Sequence, residues 1–218
     1  MYFKNRTDAA LQLAAQVVPK YRYENCAVVA LSDGGVVIAS NLATQLHCVM
    51  MMLLTEPITL PGENNPVGTI DQSGIFTYNG LFSTGQLEAF ESEYRNYIEQ
   101  EKLEKLHRMN SLLGSGGIIK PELLRYHNVI LVSDGLSTGL SLDAAAAYLK
   151  PYKLEKLIIV TPIASVSAVD RMHLLADEIF CLSVIENFMD VNHYYEDNTL
   201  PAHDHIVASI KDIILKWK

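Results

Sequence analysis

The sequence predicts an α/β domain, a mostly parallel sheet flanked by helices. Three observations carry the prediction. Short apolar runs rich in β-branched residues, CAVVAL (Cys26–Leu31), VILV (Val129–Val132) and KLIIVTP (Lys156–Pro162), read as strands buried on both faces. Segments with helical spacing separate them. Strands that alternate with helices, not with one another, belong to crossover-linked parallel sheets.

In chain order, DAALQLAAQVV (Asp8–Val18) has helical spacing, with Thr7 or Asp8 as N-cap and Pro19 just past its end. Cys26–Leu31 leads through Ser-Asp-Gly-Gly into VVIASNLATQLH, a second helix. CVMMMLL (Cys48–Leu54) is the next buried strand, its methionines core residues. Thr55–Pro66, rich in Pro, Gly and Asn, reads as a loop. VGTIDQSGIFTYNG reads as a hairpin turning at Gln72-Ser73-Gly74. From Gln86 to Asn110, Leu87, Phe90, Tyr94, Tyr97, Leu103 and Leu106 keep helical spacing among many Glu and Lys, an amphipathic helix. LLGSGGIIKPE (Leu112–Glu122) connects it to the strand at Val129, which feeds a helix reaching Lys150. The strand at Lys156, a helix over Ala168–Ala176 and a strand over Glu178–Leu182 follow. An aromatic loop, ENFMDVNHYYEDN, precedes a last helix from about Asp204 to Trp217.

With 17 Lys and Arg against 25 Asp and Glu, the net charge of -8 argues against nucleic-acid binding by bulk electrostatics. A small anion in a local positive pocket stays open. MYFKNRTDAALQLA holds no uninterrupted apolar core of the kind a signal peptide needs, and the longest apolar runs are too short to cross a bilayer. The expectation is a soluble cytoplasmic protein without a membrane partner. Cys26, Cys48 and Cys181 are widely separated, each within or beside an apolar run, and read as buried thiols.

Ligands of a parallel sheet sit at the carboxyl ends of its strands. Two loops there carry suitable chemistry. Ser133 to Ser141 (SDGLSTGLS) runs from a strand into a helix start, where backbone N–H groups and the helix dipole favour a dianion. Ser137, Thr138 and Ser141 add hydroxyls. Asp134 would repel a phosphate, so it should face a sugar diol, a metal ion or another group. In Ser32-Asp33-Gly34-Gly35 the paired glycines allow close backbone approach. Neither GxxxxGK[ST] nor GxGxxG occurs, against an ordinary nucleoside triphosphate or dinucleotide site. His203-Asp204-His205 reads as a helix start with Asp204 as N-cap or first-turn acid, not as a metal site.

VSDGLSTG resembles the V-[acid]-[acid]-x-x-x-[ST]-G signature of the type I phosphoribosyltransferases. FKNRTDAALQLA, VVALSDGGVVIASNLATQL, VGTIDQSGIFTYN and FMDVNHYYED resemble, in order, further segments of a bacterial branch of that superfamily. The resemblance implies one such domain over 1–218, with a helical and flexible insertion at about 72–120 and a C-terminal hood at about 183–200. It implies that Asp134 contacts ribose hydroxyls, and that Gly135, Leu136, Ser137, Thr138 and Gly139, with Ser141, wrap a 5-phosphate. Ser32, Asp33, Gly34 and Gly35 would form the pyrophosphate loop. Phe188, Tyr194 and Tyr195 would lie in the hood that binds the acceptor. The implied activity is transfer of a phosphoribosyl group between phosphoribosyl pyrophosphate and a nitrogenous acceptor, with Mg²⁺, in nucleotide metabolism. A homodimer is the implied assembly.

Two departures fall on the chemistry. The first acid of the signature is Ser133, a weaker partner for hydrated Mg²⁺. Where the branch has Pro-Arg-Gly-Gly, this chain has Ser-Asp-Gly-Gly. One unit charge pair at about 5 Å and an effective dielectric of about 20 is worth roughly 3 kcal/mol, so reversing the sign at position 33 costs about 6. Either Asp33 points away, or it holds Mg²⁺ between itself and pyrophosphate. The glycine-rich segment before Val129 has also lost basic residues, leaving Arg108 and Lys120 at its flanks. The alternative function is a non-catalytic relative that senses or binds a nucleotide or ribose phosphate.

Overall fold

A computed structural model describes residues 2–113, 119 and 121–213. The first helix, α1 (Arg6–Tyr21), precedes β1 (Cys26–Ala30), α2 (Asp33–Leu46) and β2 (Val49–Met52). Three short strands, β3 (Thr55–Ile58), β4 (Gly68–Asp71) and β5 (Phe76–Tyr78), lead to the long α3 (Thr84–Leu113). The second half alternates: β6 (Asn128–Val132), α4 (Leu140–Leu149), β7 (Lys156–Ser165), α5 (Val166–Leu175), β8 (Glu178–Ile185) and α6 (His203–Lys211).

The five long-range strands form one parallel sheet in the order β2-β1-β6-β7-β8. Successive residues of its central strands feed opposite cores, as the period-2 side-chain geometry requires. Val28, Ala30, Ile130, Val132, Ile158 and Val160 pack toward α1, α2 and α6. Ala27, Val29, Val129, Leu131 and Ile159 pack toward α4 and α5. Burial on both faces is why these strands read as continuous apolar runs. No described helix is long and apolar enough to cross a membrane.

Several boundaries differ from the sequence reading. α1 begins at Arg6 with Asn5 as its cap, the Asn5 side chain accepting from the Asp8 N–H at 2.9 Å. Pro19 lies inside the helix, in its exposed last turn, where losing one backbone donor is tolerated. Thr55–Ile58 is a strand, not loop: it pairs antiparallel with β4 and buries Ile58. Pro57 fits because β3 is an edge strand and needs no ladder donor there.

The hairpin turns where the sequence places it; Asp71 accepts from the Ser73 and Ile75 N–H groups. The helix expected over Gln86–Asn110 is present and kinks at Tyr94 (φ -112°, ψ 16°). Its apolar face, including Leu87, Phe90, Ile98, Leu106 and Met109, covers the three-stranded sheet. Leu103 is solvent-exposed instead. Lys102 takes the facing position, its ammonium 4.5 Å from the centre of the Phe76 ring. The Gly-rich segment 114–118, Lys120 and the expected final turn to Trp217 lie outside the described residues.

Candidate functional site

Strand order reverses at β1. The chain passes from β1 outward to β2, then returns to lay β6 on the other side of β1. The crevice beyond the carboxyl ends of β1 and β6 is therefore the topological switch point, where open α/β sheets bind ligands. The two turns singled out from the sequence flank it. Their strands stay in register to the end, with the Leu31 N–H donating to the Val132 carbonyl at 3.0 Å.

The turn after β1 is tighter than a free loop. Ser32 caps α2, its hydroxyl oxygen accepting from the Gly35 N–H at 2.9 Å. Asp33, Gly34 and Gly35 thus form the first helical turn. The turn after β6 is pinned at several points. The Leu136 N–H donates to the Ile163 carbonyl (3.1 Å) and the Ser165 N–H to the Leu136 carbonyl (2.9 Å). The Ser165 hydroxyl donates to the Ser137 carbonyl at 2.5 Å. Gly139 adopts φ +77° at the cap of α4, a conformation that favours glycine. Ser137 and Thr138 stand exposed at the tip.

Asp134 does not face the mouth of its turn; it is 7% exposed and points inward. Arg6 Nε donates to Oδ2 at 2.7 Å, and the Ser32 hydroxyl donates to Oδ1 at 2.7 Å. Arg6 is itself buried. Its guanidinium also donates to Asn192 Oδ1 (2.8 Å) and Asn198 Oδ1 (3.4 Å) and lies 4.5 Å from the centre of the Tyr195 ring. One arginine thereby joins α1, the Asp134 turn and the hood, and Asp134 in turn joins the Ser32 turn. Gly34 is obligatory: a Cβ there would lie 1.9 Å from Asp134 Oδ2 and 2.5 Å from Arg6 Nε. The Ser133 hydroxyl is engaged locally, donating to the Gly135 carbonyl at 2.9 Å.

The hood aromatics are packed rather than open. Tyr194 and Tyr195 are buried beside Phe3, Ala9 and Ile163. The Tyr195 hydroxyl donates to the Asp134 carbonyl at 2.6 Å, and burial followed by the Asp134 charge raises its pKa far above the ordinary tyrosine value. It is therefore a permanent donor. Phe188 is half-buried, its ring centre 5.2 Å from that of Tyr194. The exposed aromatic nearby is Tyr2, whose hydroxyl lies 2.9 Å from His193 Nε2.

Asp33 meets a histidine from the C-terminal helix. Its two oxygens lie 3.0 and 3.1 Å from His203 Nδ1, at the start of α6. Among the described residues no cluster of three or more His, Cys, Asp or Glu side chains is arranged to hold a metal ion. Arg171, on α5, packs its aliphatic stem against Gly139 and pairs with Asp143 at 2.7 Å, so that Asp134 and Asp143 each have an arginine partner. Arg6, Asn192, Asn198, Arg171 and the Asp33–His203 contact are absent from the sequence reading. Of these, Arg6 lies in the opening FKNR segment and Asn192 and Asn198 in the loop ENFMDVNHYYEDN, but no local pattern marks their contacts.

The five-stranded parallel sheet flanked by helices, with a hydroxyl- and glycine-rich turn closing β6, is an α/β fold of the kind that the sequence resemblance implies. No family model matches the chain. The chain is 26% identical over 207 residues, 94% of its length, to the Mycobacterium tuberculosis (strain ATCC 25618 / H37Rv) protein named "Putative phosphoribosyl transferase Rv0571c". The match to "Putative phosphoribosyl transferase MT0597" of strain CDC 1551 / Oshkosh has the same extent. The aligned region is 46% of each relative, so this chain spans about half the length of the curated proteins it matches. The crystal structure of TT1426 from Thermus thermophilus superposes with a TM-score of 0.74 at 26% identity, covering 100% of this chain and 99% of that one.

Proposed function

We propose that the protein holds phosphoribosyl pyrophosphate, or a related ribose 5-phosphate, across the switch-point crevice and transfers the phosphoribosyl group to or from a nitrogenous acceptor. One observation carries this reading: the Ser32–Gly35 and Ser133–Ser141 turns close adjacent strands at the point where strand order reverses. The 5-phosphate fits the second turn, against the amino end of α4 and the exposed hydroxyls of Ser137 and Thr138. The names of the mycobacterial relatives agree. The protein's part in such a transfer is positioning and exclusion of water, because the reacting ribose carbon develops charge with little covalent help.

Mg²⁺ belongs to this proposal only as a companion of the ligand. Asp33 and Asp134 are both engaged with side-chain partners, and the described residues form no cage of their own. A Mg²⁺ bound to the pyrophosphate oxygens would neutralise the leaving group's charge.

A second reading has its own support. Both Asp134 oxygens and the Ser133 hydroxyl are committed to protein partners. A protein built that way can bind a ribose phosphate without turnover. Titration calorimetry with phosphoribosyl pyrophosphate, ribose 5-phosphate and ribose, with and without Mg²⁺, separates the cases. Mg²⁺-dependent binding of the pyrophosphate compound supports transfer. Equal, Mg²⁺-indifferent binding of both phosphates supports the binder. Ribose binding as well as ribose 5-phosphate would remove the proposed phosphate cradle.

A further inference from the structure

We propose that His203 is the positioning residue of the Ser32–Gly35 turn: it holds Asp33 out of the anion's path and ties that turn to the end of α3. The inference deepens the function proposed above and rests on it. His203 opens α6 and reaches two other elements. Nδ1 faces both Asp33 oxygens at 3.0 and 3.1 Å, and Nε2 lies 3.2 Å from the Leu112 carbonyl oxygen near the end of α3. A carboxylate and a carbonyl only accept, so both contacts are hydrogen bonds when the ring donates from both nitrogens, as an imidazolium does. The chain thereby brings an imidazole from residue 203 to the turn that carries Asp33.

The electrostatic setting is mixed. The amino end of α6 carries the acid Asp204 in its first turn, beside the Asp33 carboxylate that His203 meets. β2, which also packs on α6, presents only Val and Met. The Asp33 side chain is 38% exposed and that of His203 is 19% exposed. Without His203, the Asp33 carboxylate is free to turn back toward the N–H groups of the α2 amino end, where it competes with a bound anion. An ordinary helix-to-helix hydrogen bond would lack this consequence.

Inorganic pyrophosphate is titrated into the wild type, H203Q, H203K, D33N and the D33N/H203Q double variant, with unfolding midpoints recorded for each. H203Q should weaken binding at least about tenfold, and H203K should recover most of it. D33N should bind at least as tightly as the wild type, and H203Q should then have no further effect. Equal weakening by H203Q in both backgrounds, or no weakening in either while the wild type binds, would overturn the role of His203 alone. A wild type that binds no pyrophosphate would overturn this inference together with the pyrophosphate half of the functional reading, leaving the ribose 5-phosphate cradle to its own test.

Discussion

Replacing Arg6 with methionine removes the cation that joins α1, the Asp134 turn and the hood. The Arg6 side chain is 4% exposed and the Asp134 side chain 10%, and their atoms meet at 2.7 Å. Methionine fills much of the volume but leaves a carboxylate in a low-dielectric site with Ser32 as its remaining side-chain donor. Breaking a buried pair from one side costs about 3–5 kcal/mol, far more than an exposed pair would. For a chain of this size, about 2–4 °C per kcal/mol translates that into a melting point lower by roughly 6–20 °C. The assay is thermal or urea unfolding of the wild type, R6M, D134N and the double variant. D134N in the R6M background should regain about 1 kcal/mol or more, because it removes the orphaned charge. An R6M midpoint within about 2 °C of wild type, or simple additivity of the two changes, would refute the reasoning.

Gly34→Ala puts a methyl group 1.9 Å from Asp134 Oδ2, so it should destabilise by about 3 kcal/mol, and by clearly less in R6M, where the crowded pair is already broken. Thr138→Arg places a bulky side chain at the exposed tip of the β6 turn; calorimetry should show loss of ribose 5-phosphate binding, and unchanged affinity would remove the cradle. Burial pushes the Cys26 thiol up to about 11 and, together with nearby Cys26, the Cys48 thiol up to about 12. Both stay protonated at pH 8, so iodoacetamide should label them slowly in the native protein and quickly in urea. The unfolded chain loses these protons first, so stability should fall as pH rises from about 9 toward 11, measurable as a dropping urea midpoint.

The parallel sheet was legible because strands buried on both faces leave unbroken apolar runs, and Val129–Val132 and Cys26–Ala30 are buried throughout. β3 was not: Pro57 disguises a strand whose edge position makes the missing donor harmless. The two ligand turns were legible from hydroxyls and glycines that follow strands. Their electrostatics were not. Arg6 meets Asp134 across 128 positions and His203 meets Asp33 across 170, and no local spacing encodes either. Tyr194 and Tyr195 look in sequence like an acceptor-facing pair; their burial comes from backbone pairing of Phe3 with the hood, contact made only in the folded chain.

The central claim is that the crevice between the β1 and β6 turns holds the ribose 5-phosphate. Amide chemical-shift mapping by NMR during titration with ribose 5-phosphate tests it most directly. The largest shifts should fall on Gly135–Ser141, with smaller ones on Ser32–Gly35, and should be absent with ribose. A different concavity of about 500 Å³, lined among others by Tyr78, Glu91, Arg95 and Lys102, lies between β5 and α3. Shifts confined there, with the two turns unmoved, would contradict the account.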